Sequence, residues 1–351
     1  MALVVYWYDF VCFAIVGISI IAALWVIWRK ECARECRTGT KYESLLPTRP
    51  EDGQSLASAQ PGHVGTDMLW MSCWRGVHPG VLLVIRLVSG LVMAAFLAWD
   101  IDVWTADVYI YYTEWTFTLV IIYFAIGTIV SAYGCIIHSK RQGVENEEQA
   151  ASVQHSVDGR STDINFRSRA NGDTVKLQSY YEQEQFLRRA GFWGYAMQIA
   201  YQASAGAVML TDIVFWCLIV PFLSIQRFSL NLHKLITTNI FWLQLMGCMH
   251  VLNAVFLLLD TSLNSLPFPW FRLSYFVLWS CTYVIFQWVL HACGYSTWPY
   301  PFLELSTPWA PLWYFALALV HLPCYGFYSL IVKAKNVVFS RLFPHAYIRT
   351  C

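Results

Sequence analysis

Apolar runs about twenty residues long, separated by polar stretches, organise this chain. A helix rises about 1.5 Å per residue, so roughly 20 apolar residues cross the hydrocarbon core of a bilayer. Seven segments meet or approach that length: residues 4–28, 80–99, 112–137, 199–223, 238–259, 271–292 and 310–332. The pattern predicts an all-α integral membrane protein, a bundle of about seven transmembrane helices. The first run is too long for the apolar part of a signal peptide and no basic residues precede it, so it reads as a retained anchor.

The polar stretches set the expected organisation. A first helix over 1–28 leads into a partly disordered cytosolic loop, 29–79. Helices two and three occupy 80–137, and a mostly disordered cytosolic insert follows over 138–190. Helices four to seven fill 191–335, and 336–351 form a cytosolic tail. Residues 41–67 and 138–173 are rich in charge, Ser, Gly and Gln and have little to bury, which predicts disorder. From Lys176, a partly amphipathic stretch with Arg188 and Arg189 reads as a surface helix leading into segment four.

Composition supports the membrane reading. Apolar residues make up 57% of the chain and charged residues 13%, about half the quarter expected of a soluble domain. The 17 Trp suit two water–lipid interfaces. A net charge of +1 provides no basic surface for nucleic acid. Membrane lipids are the expected partners, and the cytosolic loops are where a protein partner would bind. Plasma membrane and endomembrane both fit.

The basic residues give an orientation. Residues 29–75 hold seven Lys and Arg, residues 140–189 hold eight, and Arg272 with the tail adds five. Only Arg227 and Lys234 fall on the other side, and Arg86 lies within segment two. Basic loops stay cytosolic. The amino terminus is therefore expected outside and the carboxyl terminus in the cytosol.

Little in the sequence points to soluble chemistry. The 11 Cys lack metal-ligand spacing, and no metal or cofactor is implied. Cys32 and Cys36 follow the first helix beside basic residues. That is a setting for palmitoylation, with unmodified cytosolic thiols as the plainer reading. No nucleotide-binding Gly loop, GxSxG or HExxH is present.

Ionisable groups at bilayer depth are costly and become the functional candidates. Arg86 lies on the cytosolic half of segment two, where it can snorkel to the interface. If segment four enters near Val208, Asp212 sits at a similar depth and pairs with Arg86 in a structural ion pair. On segment five, His250, Asn253, Asp260, Thr261 and Asn264 fall on one helical face. That stripe fits either a water-accessible site or hydrogen-bonded packing. Thr113 and Thr116 open segment three, where bonding to their own backbone is the plain reading. Gly127, Ser131 and Gly134 form a strip for close helix contact. His291 closes segment six before a Pro-rich outer loop holding Glu304. His321 reads as a packing residue, and Pro323 predicts a kink.

Three elements carry a resemblance. They are Tyr112-Thr113 with Trp115; Met249-His250 with Asn253; and His291 with Trp298-Pro299-Tyr300-Pro301-Phe302-Leu303-Glu304. Over about 80–335, less the insert, the chain resembles Rolling stone proteins, particularly their plant branch. More distantly it is similar to the androgen-induced family of membrane hydrolases. The Pro-Phe-Leu-Glu loop is the most specific match. The resemblance implies hydrolysis of fatty acid esters of hydroxy fatty acids within the membrane. Carried over, Thr113 is the nucleophile, with Thr116 as the alternative register, and His250 is the base. Asn253 would support the oxyanion, and His291 with Glu304 would shape the outer mouth. The Rolling stone branch is instead linked to membrane fusion. A non-catalytic adaptor and a small-solute transporter therefore stand as alternatives.

Overall fold

In the computed structural model the described residues are 6–32, 65–157, 191–221 and 235–348. The expected surface helix from Lys176, the loop residues 41–64 and the side chains of Cys32 and Cys36 lie outside the described residues.

Among the described residues the architecture is helical. The helices are α1 (Trp7–Ile27), a short α2 (Asp67–Trp70), α3 (Pro79–Trp104), α4 (Tyr112–Val157), α5 (Phe192–Val214), α6 (Leu235–Leu263), α7 (Leu273–Ala292) and α8 (Ala310–Leu342). π-helical turns extend α1 over Trp28–Cys32 and α5 over Phe215–Ile219. Among the described residues, six helical stretches are long and apolar enough to cross a membrane: Trp7–Glu31, Pro79–Ile110, Tyr112–Lys140, Phe192–Cys217, Trp270–Ala292 and Ala310–Leu342. Gly247–Leu263, within α6, is apolar but shorter by the same measure.

One expectation changes here. Residues 138–157, expected to be disordered, continue α4 as a helix. Helix also continues through Pro323, which interrupts the hydrogen-bond ladder without ending α8.

The end of each long helix that comes to one common face is marked by contacts. The hydroxyl of Tyr275, at the start of α7, donates to Glu31 beyond α1 at 2.5 Å. Arg272 Nη1 donates to Gln198 near the start of α5 at 2.7 Å. His138 of α4 meets the rings of Trp70 and of His78, which caps α3. Ser72 bridges to Asn264 after α6, and Trp74 bridges to Tyr347 after α8. Residues 71–75 thus join the end of α6 to the segment after α8.

Helix α5 is the hub, packed against α4, α6, α7 and α8. Its membrane window is 72% buried, against 17% for α1. The composition explains this. Ala200, Ala203, Ser204, Ala205, Gly206 and Ala207 let neighbouring helices approach closely. At Gly206 a Cβ would stand 2.5 Å from the Phe276 ring of α7. Helix α1, by contrast, shows Phe10, Ile18, Ile21 and Leu24 outward, as a lipid-facing helix does.

Candidate functional site

Two sets of polar groups hold most of the residues singled out from the sequence, and the stripe on α6 is split between them apart from Asn253.

The first set is a buried knot near the common face. Arg86 of α3 is fully buried. Its Nε donates to Asp260 Oδ1 at 2.8 Å, and its Nη1 donates to Leu69 O at 2.8 Å and to Ser131 Oγ at 2.7 Å. Tyr123 and Asn264 also donate to Asp260, Asn264 at 2.8 Å. Lys335 Nζ covers the Thr261 and Asn264 carbonyls at 2.9 and 2.8 Å. The expected Arg86–Asp212 pair is therefore corrected: Arg86 pairs with Asp260. Helix α5 starts at Phe192 rather than near Val208, so Asp212 lies about 30 Å along it, at the opposite end of the bundle. The strip of Gly127 and Ser131 also gains a purpose. A Cβ on Gly127 would stand 3.2 Å from Arg86 Cδ, and Ser131 accepts the guanidinium.

The second set surrounds a cavity of about 90 Å3. Thr113 and His250 both line it, with Tyr112, Ser280, Tyr283 and His321. His250 stands 13 residues before the end of α6 at Leu263, about 20 Å from the common face. That depth brings it toward the end of the bundle where Thr113 opens α4. His250 Nδ1 lies 2.8 Å from Asp212 Oδ1. A carboxylate only accepts, so the proton between them sits on Nδ1, and in the neutral imidazole Nε2 keeps the lone pair. The imidazole also stacks on Phe215, with ring centres 4.1 Å apart, which fixes its plane.

The loop between α7 and α8 forms the other wall, through Tyr300, Phe302 and Leu303. The Tyr300 oxygen accepts from the Tyr112 backbone N–H at 3.2 Å. Burial pushes the Tyr300 phenol up, so it stays protonated. The Tyr112 hydroxyl and Ser280 Oγ share a hydrogen bond of 2.7 Å. Tyr283 donates to Ile110 O at 2.6 Å.

Other candidates fall elsewhere. Thr116 is fully buried and does not line the cavity. Asn253 is fully buried, lies outside the lining, and its amide makes no hydrogen bond among the described residues. His291 organises the loop between α7 and α8: it stacks on Trp298 at 3.6 Å, and its nitrogens reach Gln287 O at 2.7 Å and Thr297 O at 3.2 Å. Glu304 accepts from Ser306. Neither His291 nor Glu304 lines the cavity. His321, read from sequence as a packing residue, does line it.

Asp212 is the residue whose place beside His250 the sequence did not reveal. Its only signal was an acid at bilayer depth, which does not name a partner. Comparison with family models, curated proteins and solved structures finds no match to this chain.

Proposed function

We propose that this protein is an intramembrane hydrolase of lipid esters, with Thr113 as nucleophile and His250 as base. The observation that carries the reading is one cavity lined by both residues, with His250 held by Asp212 at 2.8 Å. A threonine hydroxyl is a weak nucleophile until a base takes its proton, and an imidazole oriented by a carboxylate is suited to that task.

The steps follow. Thr113 Oγ bonds to the ester carbonyl carbon and its proton passes to His250 Nε2. The ester C–O bond then breaks, and the leaving alkoxide takes that proton. Water attacks the acyl-threonine, giving up a proton through His250, and a carboxylic acid departs as the Thr113 hydroxyl is restored. Asp212 positions the imidazole and stabilises its charged form. The assignment of Thr113 and His250 is the one that the distant resemblance to the androgen-induced hydrolases implies.

The proposal includes seven crossings, with the amino terminus outside and the carboxyl terminus cytosolic. Support comes from the alternation of helix ends on the common face and from the basic residues there, including Arg29, Lys30, Arg75, Lys140 and Arg341. Helix α6, with 29 residues, is the seventh crossing.

The test is turnover of a long-chain ester in mixed micelles by the purified protein and by Thr113→Ala and His250→Ala. Hydrolysis at background in both folded variants is expected. Hydrolysis retained in either would overturn the assignment.

A further inference from the structure

A second cavity, about 290 Å3, lies between α1, α7 and α8. It adjoins the first, because Ser280, Val284, Leu317 and His321 line both. On α1 the wall is formed by Ile15, Ser19, Ala22 and Val26, spaced three or four apart and so on one face, with Val16 and Ala23 beside them. From Ile15 to Val26 the wall runs about 16 Å. That is half of the roughly 30 Å hydrocarbon core, the depth of one leaflet.

The lining carries no charged residue. The Ser19 hydroxyl donates to Ile15 O at 2.8 Å, and that of Tyr314 donates to Leu303 O at 3.0 Å. One polar atom stands apart. His321 is 8% exposed, its Nδ1 bonds Leu317 O at 2.6 Å, and its Nε2 has no hydrogen-bond partner among the described residues. A carbonyl only accepts, so Nδ1 carries the proton and Nε2 is a buried acceptor at the junction of the two cavities. A polar solute would find few bonds along these walls. A long alkyl chain needs none, and a hydroxyl at its head satisfies His321.

We propose that this second cavity binds the alkyl chain of a product of ester hydrolysis, with an O–H at the chain's head donating to His321 Nε2. Two molecules share that chemistry, a protonated fatty acid and a long-chain alcohol. The inference rests on the hydrolase reading of the adjoining cavity. Binding is therefore measured without turnover, in full-length protein carrying His250→Ala.

The experiment uses two photoreactive probes, a long-chain fatty acid and the matching alcohol, each with a diazirine near its terminal methyl. Adducts are mapped by mass spectrometry. Adducts are expected on the inner face of α1, at Ser19, Ala22 and Val26, and on α7 at Val277. Ala23→Trp, and the gentler Ala22→Phe, should remove them, and His321→Leu should weaken probe binding about tenfold. The probe that labels more strongly identifies the source. Adducts confined to outward residues such as Ile18 and Leu24, or labelling unchanged by the filling variants in folded protein, would overturn the proposal. Inner-face adducts in His250→Ala, together with a wild-type protein that hydrolyses no long-chain ester, would remove the hydrolase reading and leave the chain site standing. Esterase activity with no inner-face adducts would do the reverse.

Discussion

His250 and Asp212 meet at 2.8 Å across α6 and α5, and this contact sets which imidazole nitrogen serves the cavity. Asp212→Asn keeps the size of the side chain but can present an N–H to Nδ1, which then favours the wrong tautomer. A loss of kcat of about 10²-fold or more is expected, with an unchanged elution profile in detergent. Steady-state esterase kinetics check this. Wild-type kcat in Asp212→Asn would remove Asp212 from the mechanism.

The buried Arg86–Asp260 pair makes a separate prediction about stability. Arg86→Ala leaves Asp260 buried without its cation and should cost about 3–5 kcal/mol. Arg86→Met with Asp260→Leu removes both charges and should recover much of that loss. Thermal unfolding in detergent, followed by tryptophan fluorescence, reads both. Equal stability of Arg86→Ala and the double variant would show that the unpaired charge is not what costs.

Close approach at α5 gives a third. In Gly206→Ala the new Cβ falls 2.5 Å from the Phe276 ring, so the two helices must part or the ring must move. A loss of about 1–3 kcal/mol is expected, partly recovered by adding Phe276→Leu. The same unfolding assay measures it, and an unperturbed Gly206→Ala would contradict the tight α5–α7 contact.

Topology gives a fourth. Seven crossings place the termini on opposite faces, whereas six would place them on the same one. An acceptor site for N-glycosylation fused to the amino terminus should be modified in microsomes, and one fused to the carboxyl terminus should not. Modification of both, or of neither, would contradict an odd number of crossings.

The sequence made the helices legible but not their partners. Length and hydropathy found α3, α4, α7 and α8, because crossing a bilayer imposes a minimum apolar length. The same pattern marked Arg86, Asp212, His250 and Asp260 as unusual, because charge at bilayer depth is rare. Which of them meet depends on where each helix enters. Entry near Val208 puts Asp212 at the end of the bundle that holds Arg86, whereas a start at Phe192 puts it at the end that holds His250. The tilt and rotation that bring His321 to the cavity follow from packing across α7 and α8, which no local pattern encodes. The helix over 138–157 was missed for a related reason: it carries no apolar face to announce it.

The central claim is that Thr113 is a nucleophile activated by His250. Its most direct test is labelling of the detergent-purified protein with a fluorophosphonate probe, with the modified residue located by mass spectrometry. One adduct is expected on Thr113, absent in Thr113→Ala, lost in His250→Ala and retained in Thr116→Ala. No adduct on the folded wild-type protein, or an adduct that persists in Thr113→Ala, would contradict it.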